Sequence, residues 1–351
     1  MPFRARKDHR TTGCNECTRG MLSGRTQAVT LAAVLCLAGG AAAADPAPAP
    51  KALKAGGSLI IVGGGALPDA IRDRFLELAG AARAKLVIIP TASSRAETGR
   101  LERLRSYTYW APLATGGKVK SVSFLHTRRA QEANDPTFVK PLTEATGVWF
   151  CGGDQSLLTQ AYKGTLVEKE LRKVLLRGGV VGGTSAGAAV MSDLMIRSGN
   201  PVAVVGEGFG FLRGVVVDQH FHERNRLARL LGVLSKHRDH LGIGIDEQTG
   251  VQVQGECVIV LGNRHIHVCL PAPKDEKCEV KVFAAGARLD LAELTRALAT
   301  PARSPQPEGG GKTTSASNSK STAAPTPPAG TPPAVGTRPT PSPTSGPISP
   351  P

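Results

Sequence analysis

Aromatic residues are scarce in this 351-residue chain, only 4% of it, and no uninterrupted apolar run reaches the roughly 18 residues that a membrane span requires. A multispan membrane protein is therefore excluded. Seven cysteines are too few for a disulfide scaffold at this length. The 41 glycines follow no fixed period and no internal repeat is visible, which excludes collagen-like and solenoid architectures. Dense Lys/Arg runs interleaved with aromatics are also missing, so a nucleic-acid partner is not expected. What remains, 41% apolar and 20% charged residues, fits a Gly- and Val-rich α/β domain with polar appendages.

Three regions differ in kind. Residues 1–44 read as an export signal: six basic residues precede a small, apolar stretch from Ala28 to Leu37, and Ala41 to Ala44 offer a cleavage site before Asp45-Pro46. The protein is thus expected outside the cytoplasm, in the periplasm or beyond, with no membrane span once the signal is removed. Residues 45–55 form a linker. Residues 301–351 hold 14 of the 26 prolines and no aromatic residue. Such a segment buries too little apolar surface to offset its ordering entropy, and it reads as a disordered Pro/Ser/Thr-rich tail. The net charge of +15 divides into +4 for 1–44, +3 for 301–351 and +8 for the portion between. That spread suits attraction of an acidic substrate or an anionic envelope.

The region 56–300 alternates short buried strands with helices. Apolar runs at Ser58 to Val62, Lys85 to Ile89, Lys118 to Phe124, Gly147 to Phe150 and Gly179 to Gly182 read as strands. Helical patterns fall at Ala66 to Ala79, Leu101 to Trp110, Pro136 to Ala145, Ser156 to Tyr162, Leu166 to Leu176 and from Ala186 to Met191. This alternation predicts a three-layer αβα domain around a mostly parallel sheet. Beyond Leu241 four short strands (Gly242 to Ile245, Val251 to Gln254, Cys257 to Leu261, His265 to Leu270) predict an antiparallel extension.

In such sheets ligands bind at the carboxyl ends of the strands. Gly183-Thr184-Ser185-Ala186-Gly187 directly follows the strand Val180-Val181 and precedes helix-forming residues. A serine at that corner is pushed out on a strained turn, where the amide of Ala186 and the helix start can face a developing oxyanion. A small-residue turn that merely packs a helix on the sheet would look similar, but the strand–helix context favours a nucleophile. His220, at the end of Val215 to Gln219, is the candidate base. Asp246 or Glu247 after Gly242-Ile243-Gly244-Ile245, or Asp218 beside the histidine, could orient it, and strand alternation sends Asp246 and Glu247 to opposite sides. Gly152-Gly153-Asp154-Gln155 offers a second backbone amide and a substrate-facing side chain. Arg224, Arg226 and Arg229 lead into an amphipathic helix and are either a solvated face or carboxylate binders.

These four motifs, in this order, resemble the cyanophycinases, serine peptidases related to the aspartyl dipeptidases, with a fold like that of class I glutamine amidotransferases. The resemblance covers about residues 56–290. It implies a triad of Ser185, His220 and Glu247, an oxyanion hole from the amides of Ala186 and Gly153, and a pocket lined by Gln155, Asp218, Gln219, Arg224, Arg226 and Arg229. It further implies cleavage of cyanophycin with release of β-Asp-Arg dipeptides, no metal or organic cofactor, and a homodimer. An export signal is not needed by an enzyme of intracellular storage granules, so another β-aspartyl peptide or isopeptide is an alternative substrate. An aspartyl dipeptidase-like exopeptidase and a non-catalytic extracellular binding protein are the alternative functions.

Three other features carry less. His265, His267 and Cys269 share a strand face but lack a fourth ligand at metal spacing. Gly63-Gly64-Gly65 lacks the spacing and the lysine of a phosphate loop and reads as a tight turn at the edge of the site. Cys257, Cys269 and Cys278 could pair, and Cys151 reads as a buried thiol.

Overall fold

The computed structural model describes residues 56–98, 101–271 and 277–299. The export signal, the linker and the tail read from the sequence lie outside these residues. Strands β1 (Ser58–Val62), β2 (Lys85–Ile89), β3 (Ser121–Phe124), β4 (Gly147–Phe150) and β5 (Val180–Thr184) are each followed by a helix or turn of helix. A hairpin of β6 (Leu194–Ser198) and β7 (Val204–Glu207) comes next. Seven further strands complete the set: β8 (Val215–Gln219), β9 (Leu241–Ile245), β10 (Thr249–Gln254), β11 (Cys257–Gly262), β12 (His265–Leu270), β13 (Glu279–Ala284) and β14 (Arg288–Asp290).

The main sheet has the order β14-β11-β10-β1-β5-β4-β2-β3. Its last five strands are all parallel, and β10, β11 and β14 extend it antiparallel. The mostly parallel sheet and its antiparallel extension are thus as the sequence leads one to expect. Each parallel strand feeds two cores through the period of two. Leu59, Ile61, Val87, Ile89, Val148 and Phe150 face one side, where the helices Pro136–Glu144 and Leu166–Leu176 pack. Ile60, Val62, Leu86, Ile88 and Trp149 face the other, under helix Asp69–Leu78 and Trp110. Strands covered on both faces must be apolar throughout, which is why these runs were readable.

The extension differs from expectation in one respect. Only two of the four strands beyond Leu241 join the main sheet. The other two, β9 and β12, belong to a second sheet of order β13-β12-β9-β8, in which β9 runs parallel to β8. Val217, Ile243, Ile245 and Val268 pack its inner face into the larger core. Helix Leu227–Leu234 covers the outer face through Leu230, Val233 and Leu234 against Val216 and Cys269. Similar length and composition made these strands interchangeable in the sequence; partner choice is a non-local property.

The consequence for the site is that carboxyl ends from two sheets converge. Gly63, just after β1, accepts a hydrogen bond from the amide of His220, just after β8 (2.7 Å). A β-carbon on Gly63 would lie 2.2 Å from the Asp246 carbonyl oxygen, so the ends of β1 and β9 approach closely only because this residue is glycine.

Candidate active site

At the end of β5 the chain turns through Ser185 with φ 54° and ψ −113° before a one-turn helix, Ala186–Ala189. Positive φ is uncommon for a residue with a side chain and marks a strained corner. Its amide is tied to the Val62 carbonyl of β1 (3.0 Å). The flanking glycines make the turn possible: a β-carbon on Gly183 would lie 2.5 Å from the Gly187 carbonyl oxygen, and one on Gly187 would lie 2.4 Å from that of Phe150. The helix is shorter than the Ala186 to Met191 expected, so its macrodipole is small and any oxyanion donor here is a local amide.

The hydroxyl of Ser185 lies 2.8 Å from Nε2 of His220, and Nδ1 of His220 lies 2.5 Å from Oε1 of Glu247. An ionised carboxylate only accepts, so the ring proton sits on Nδ1 and Nε2 is left to accept from the serine. His220 itself has φ 48°, a second strained residue at the same place. Burial is the main cause that lowers its pKa below the ordinary 6.5; the bond to Glu247 opposes this, and Arg224 and Arg226 add to it. The ring is therefore neutral near pH 7, the state in which it can take a proton.

Of the three acids open in the sequence, geometry brings only Glu247 to His220. Asp246 faces the other way, accepting from the amide of His222 (3.2 Å) and lying 3.4 Å from Nε2 of His267. Asp218 is fully buried against guanidiniums: Arg229 bonds both its oxygens, through Nε at 2.9 Å and through a second nitrogen, and Arg226 lies at 3.5 Å.

A polar cavity of about 880 Å³ opens beside Ser185, walled by Gly153, Gln155, Gln219, Arg224, Arg226 and Arg229 together with Arg197 and Asn200. Five of the six residues expected to line the substrate pocket thus stand on one wall, and Asp218 stands behind it as the partner of Arg229. Gln155 has both amide contacts directed to the Ile196 and Arg197 carbonyls (2.7 Å each), which secures β6 against the site. Arg226 donates to the Gln219 carbonyl (2.5 Å) and to its side chain, while its Nε is buried without a partner among the described residues. Burial pushes this guanidinium down to about 10, with Asp218 opposing the shift. A cluster of arginines with a free donor suits a ligand carboxylate. The Gly152-Gly153 turn runs alongside: a β-carbon on Gly152 would lie 3.3 Å from that of Ser185.

Residues 59–261 match peptidase family S51. The chain belongs to that family. It is 34% identical over 228 residues to the cyanophycinase of Synechococcus elongatus, covering 61% of this chain and 68% of that protein. With the cyanophycinase of Geminocystis herdmanii it shares 36% identity over 201 residues, covering 55% and 71% respectively. The crystal structure of a peptidase from an acI-B1 Actinobacterium superposes with a TM-score of 0.55 at 25% identity, over 67% of this chain and 96% of that one. This S51 chain is accordingly a serine-type peptidase.

Some residues of the S51 site carry no signal in the sequence. Glu223 accepts from the amide of Glu247 (3.1 Å) and is itself bonded by Arg264 (2.5 Å), a brace for the acid supplied from a charged stretch. The β6–β7 hairpin forms a cavity wall, held there by Arg229 on the Gly199 carbonyl (2.7 Å) and by Asn200 on that of Arg224 (3.2 Å). On the strand face of His265, His267 and Cys269, the structure buries Cys269 beneath helix Leu227–Leu234, with its thiol pushed up to about 12, and sets His267 3.4 Å from Asp246. Cys151, Cys257, Cys269 and Cys278 are free thiols, and Cys151 is buried as expected.

Proposed function

We propose that this chain is an exported serine peptidase that hydrolyses cyanophycin or a related β-aspartyl peptide through an acyl-enzyme, releasing β-Asp-Arg-type dipeptides. The observation that carries the reading is the continuous contact Ser185–His220–Glu247 at the mouth of an arginine-walled cavity. Relatives named cyanophycinase, at about a third identity over most of the domain, support the substrate class. Units of cyanophycin carry free carboxylates, which Arg224, Arg226 and Arg229 would meet as charge-assisted partners.

The chemistry follows from the contacts. His220 removes the hydroxyl proton as Ser185 attacks the scissile carbonyl, and Glu247 stabilises the imidazolium. The amides of Ala186 and Gly153 are the expected donors to the tetrahedral oxyanion. His220 returns the proton to the leaving amine as the C–N bond breaks. Water then attacks the ester with the same base, which frees the acid and restores Ser185. Residues 1–44 are assigned to export, and amino-terminal sequencing of protein recovered outside the cytoplasm should start just after Ala44.

The decisive experiment is mass-spectrometric product analysis after incubation with cyanophycin, with Ser185→Ala as control. β-Asp-Arg released by the parent and not by the variant supports the reading. No release while a serine-directed phosphonate labels Ser185 removes cyanophycin as the substrate, and equal release by both removes Ser185 as the nucleophile.

A further inference from the structure

A second cavity, of about 410 Å³, is walled in part by neighbours of the same serine. Thr184, which precedes Ser185, and Gly152, whose β-carbon would touch that of Ser185, both stand in its wall. So does Gly65, where a β-carbon would lie 2.8 Å from Oε2 of Glu247. Ser185 itself lines the first cavity and its neighbours line the second; the first bears four arginines, Arg197, Arg224, Arg226 and Arg229, and the second two, Arg95 and Arg105.

The lining of the second cavity is chemically different. Leu67, Leu104, Tyr109, Trp110 and Trp149 form its sides and Cys151 lies at its base. The thiol is pushed up to about 12 by burial, so the base is neutral and unreactive at physiological pH. Trp110 is fixed by ring contacts with Phe75 (centroids 5.7 Å), Trp149 (5.3 Å) and Tyr109 (5.2 Å), so the aromatic side is preformed. The charged residues on the wall are Arg95 and Arg105, both exposed, and no carboxylate among the described residues lines it. A guanidinium entering here would meet two like charges and no acid; an uncharged aromatic or aliphatic side chain would bury its surface against rings already in place.

We propose that this cavity is a second substrate subsite, on the opposite flank of the scissile bond from the arginine-walled one, and that it takes an apolar or aromatic side chain. The inference rests on the serine-peptidase reading and narrows it. The preferred substrate joins a β-Asp-Arg unit, held by the arginines, to a residue such as phenylalanine or leucine, rather than to a second β-Asp-Arg unit. The bond broken and the proton path are those already given; only the flanking residue changes.

The test compares synthetic peptides in which one β-Asp-Arg unit is joined through its backbone, in both orders, to Phe, to Leu or to a second such unit. The full chain should hydrolyse the Phe or Leu peptide in one order with kcat/KM at least about tenfold above the double unit, the scale of hydrophobic-pocket discrimination. Ser106→Trp, filling the cavity from the helix that carries Trp110, should remove that advantage, with circular dichroism as the folding control. Ser94→Glu, placing an acid at the rim, should shift preference toward the double unit. Hydrolysis of the double unit at least as fast as both orders, or an advantage that survives Ser106→Trp, overturns the inference alone. So does failure to cleave any peptide while a phosphonate still labels Ser185. Failure of both labelling and turnover overturns the peptidase reading and this inference together.

Discussion

The imidazole of His220 occupies the space that a side chain on Gly64 would need. A β-carbon built there would lie 2.2 Å from Cε1 and 2.6 Å from each ring nitrogen. Gly64 also has φ 128°, a conformation that side chains rarely adopt. The three-glycine turn after β1 is therefore the seat of the base rather than a phosphate loop.

Gly64→Ala should displace His220 without disturbing either sheet. The expected result is a fall in kcat of about a hundredfold or more, the scale for an ångström-sized misplacement of a reacting group, with a thermal midpoint lowered by the strain of a side chain at that φ. Unchanged kcat in a folded variant would mean that the ring is free to move and that the contact does not position it.

Replacement of the triad residues should give graded losses. Ser185→Ala is expected to lower kcat by about 10⁶-fold and Glu247→Gln by about 10⁴-fold, because the acid only orients and stabilises the base. Asp246→Asn should cost far less, since Asp246 faces His222 and His267 and not His220. The reverse ranking of the two acids in single-turnover assays would reassign the orienting residue.

That ranking also shows where the sequence was legible. Ser185 and His220 stand out because each ends an apolar strand with a polar residue in a glycine-rich setting. Alternation separated Asp246 from Glu247 but could not say which side held the histidine; only the family resemblance chose between them. The boundaries of β1, β2 and β4 were readable because each is a buried, largely apolar run, and those of β12 because histidines alternate with apolar residues along it. β13 was not, because Glu279 and Lys281 interrupt it and most of it is exposed. The apolar cavity escaped entirely, since its walls come from separate segments that meet only in the fold.

The pH profile should carry the signature of the cationic wall. His220 titrates below 6.5, mainly through burial, with Arg224 and Arg226 disfavouring its protonated form. Activity requires neutral His220, so the acid limb of kcat/KM should have its midpoint below 6.5. Arg224→Gln removes a positive charge, raises the histidine pKa and should move the limb upward. Glu247→Gln removes a stabilising negative charge and should move it downward. A limb unmoved by both changes would mean that another group governs it.

Asp218 is the buried counter-charge of the arginine wall. It has no exposed surface, binds Arg229 through both oxygens and lies 3.5 Å from Arg226. Removing it as Asp218→Ala leaves two largely buried guanidiniums without their carboxylate, a change that typically costs about 3–5 kcal/mol. Urea unfolding should register that loss. Arg229 would also lose the partner that aims it, so any variant that remains folded should show a raised KM more than a lowered kcat, because the arginines hold substrate while Ser185, His220 and Glu247 do the chemistry. Asp218→Ala combined with Arg229→Met should recover part of the stability, since an apolar pair can replace a buried ion pair, yet leave KM high. Recovery of both together would show that the arginine wall serves the fold and not the substrate.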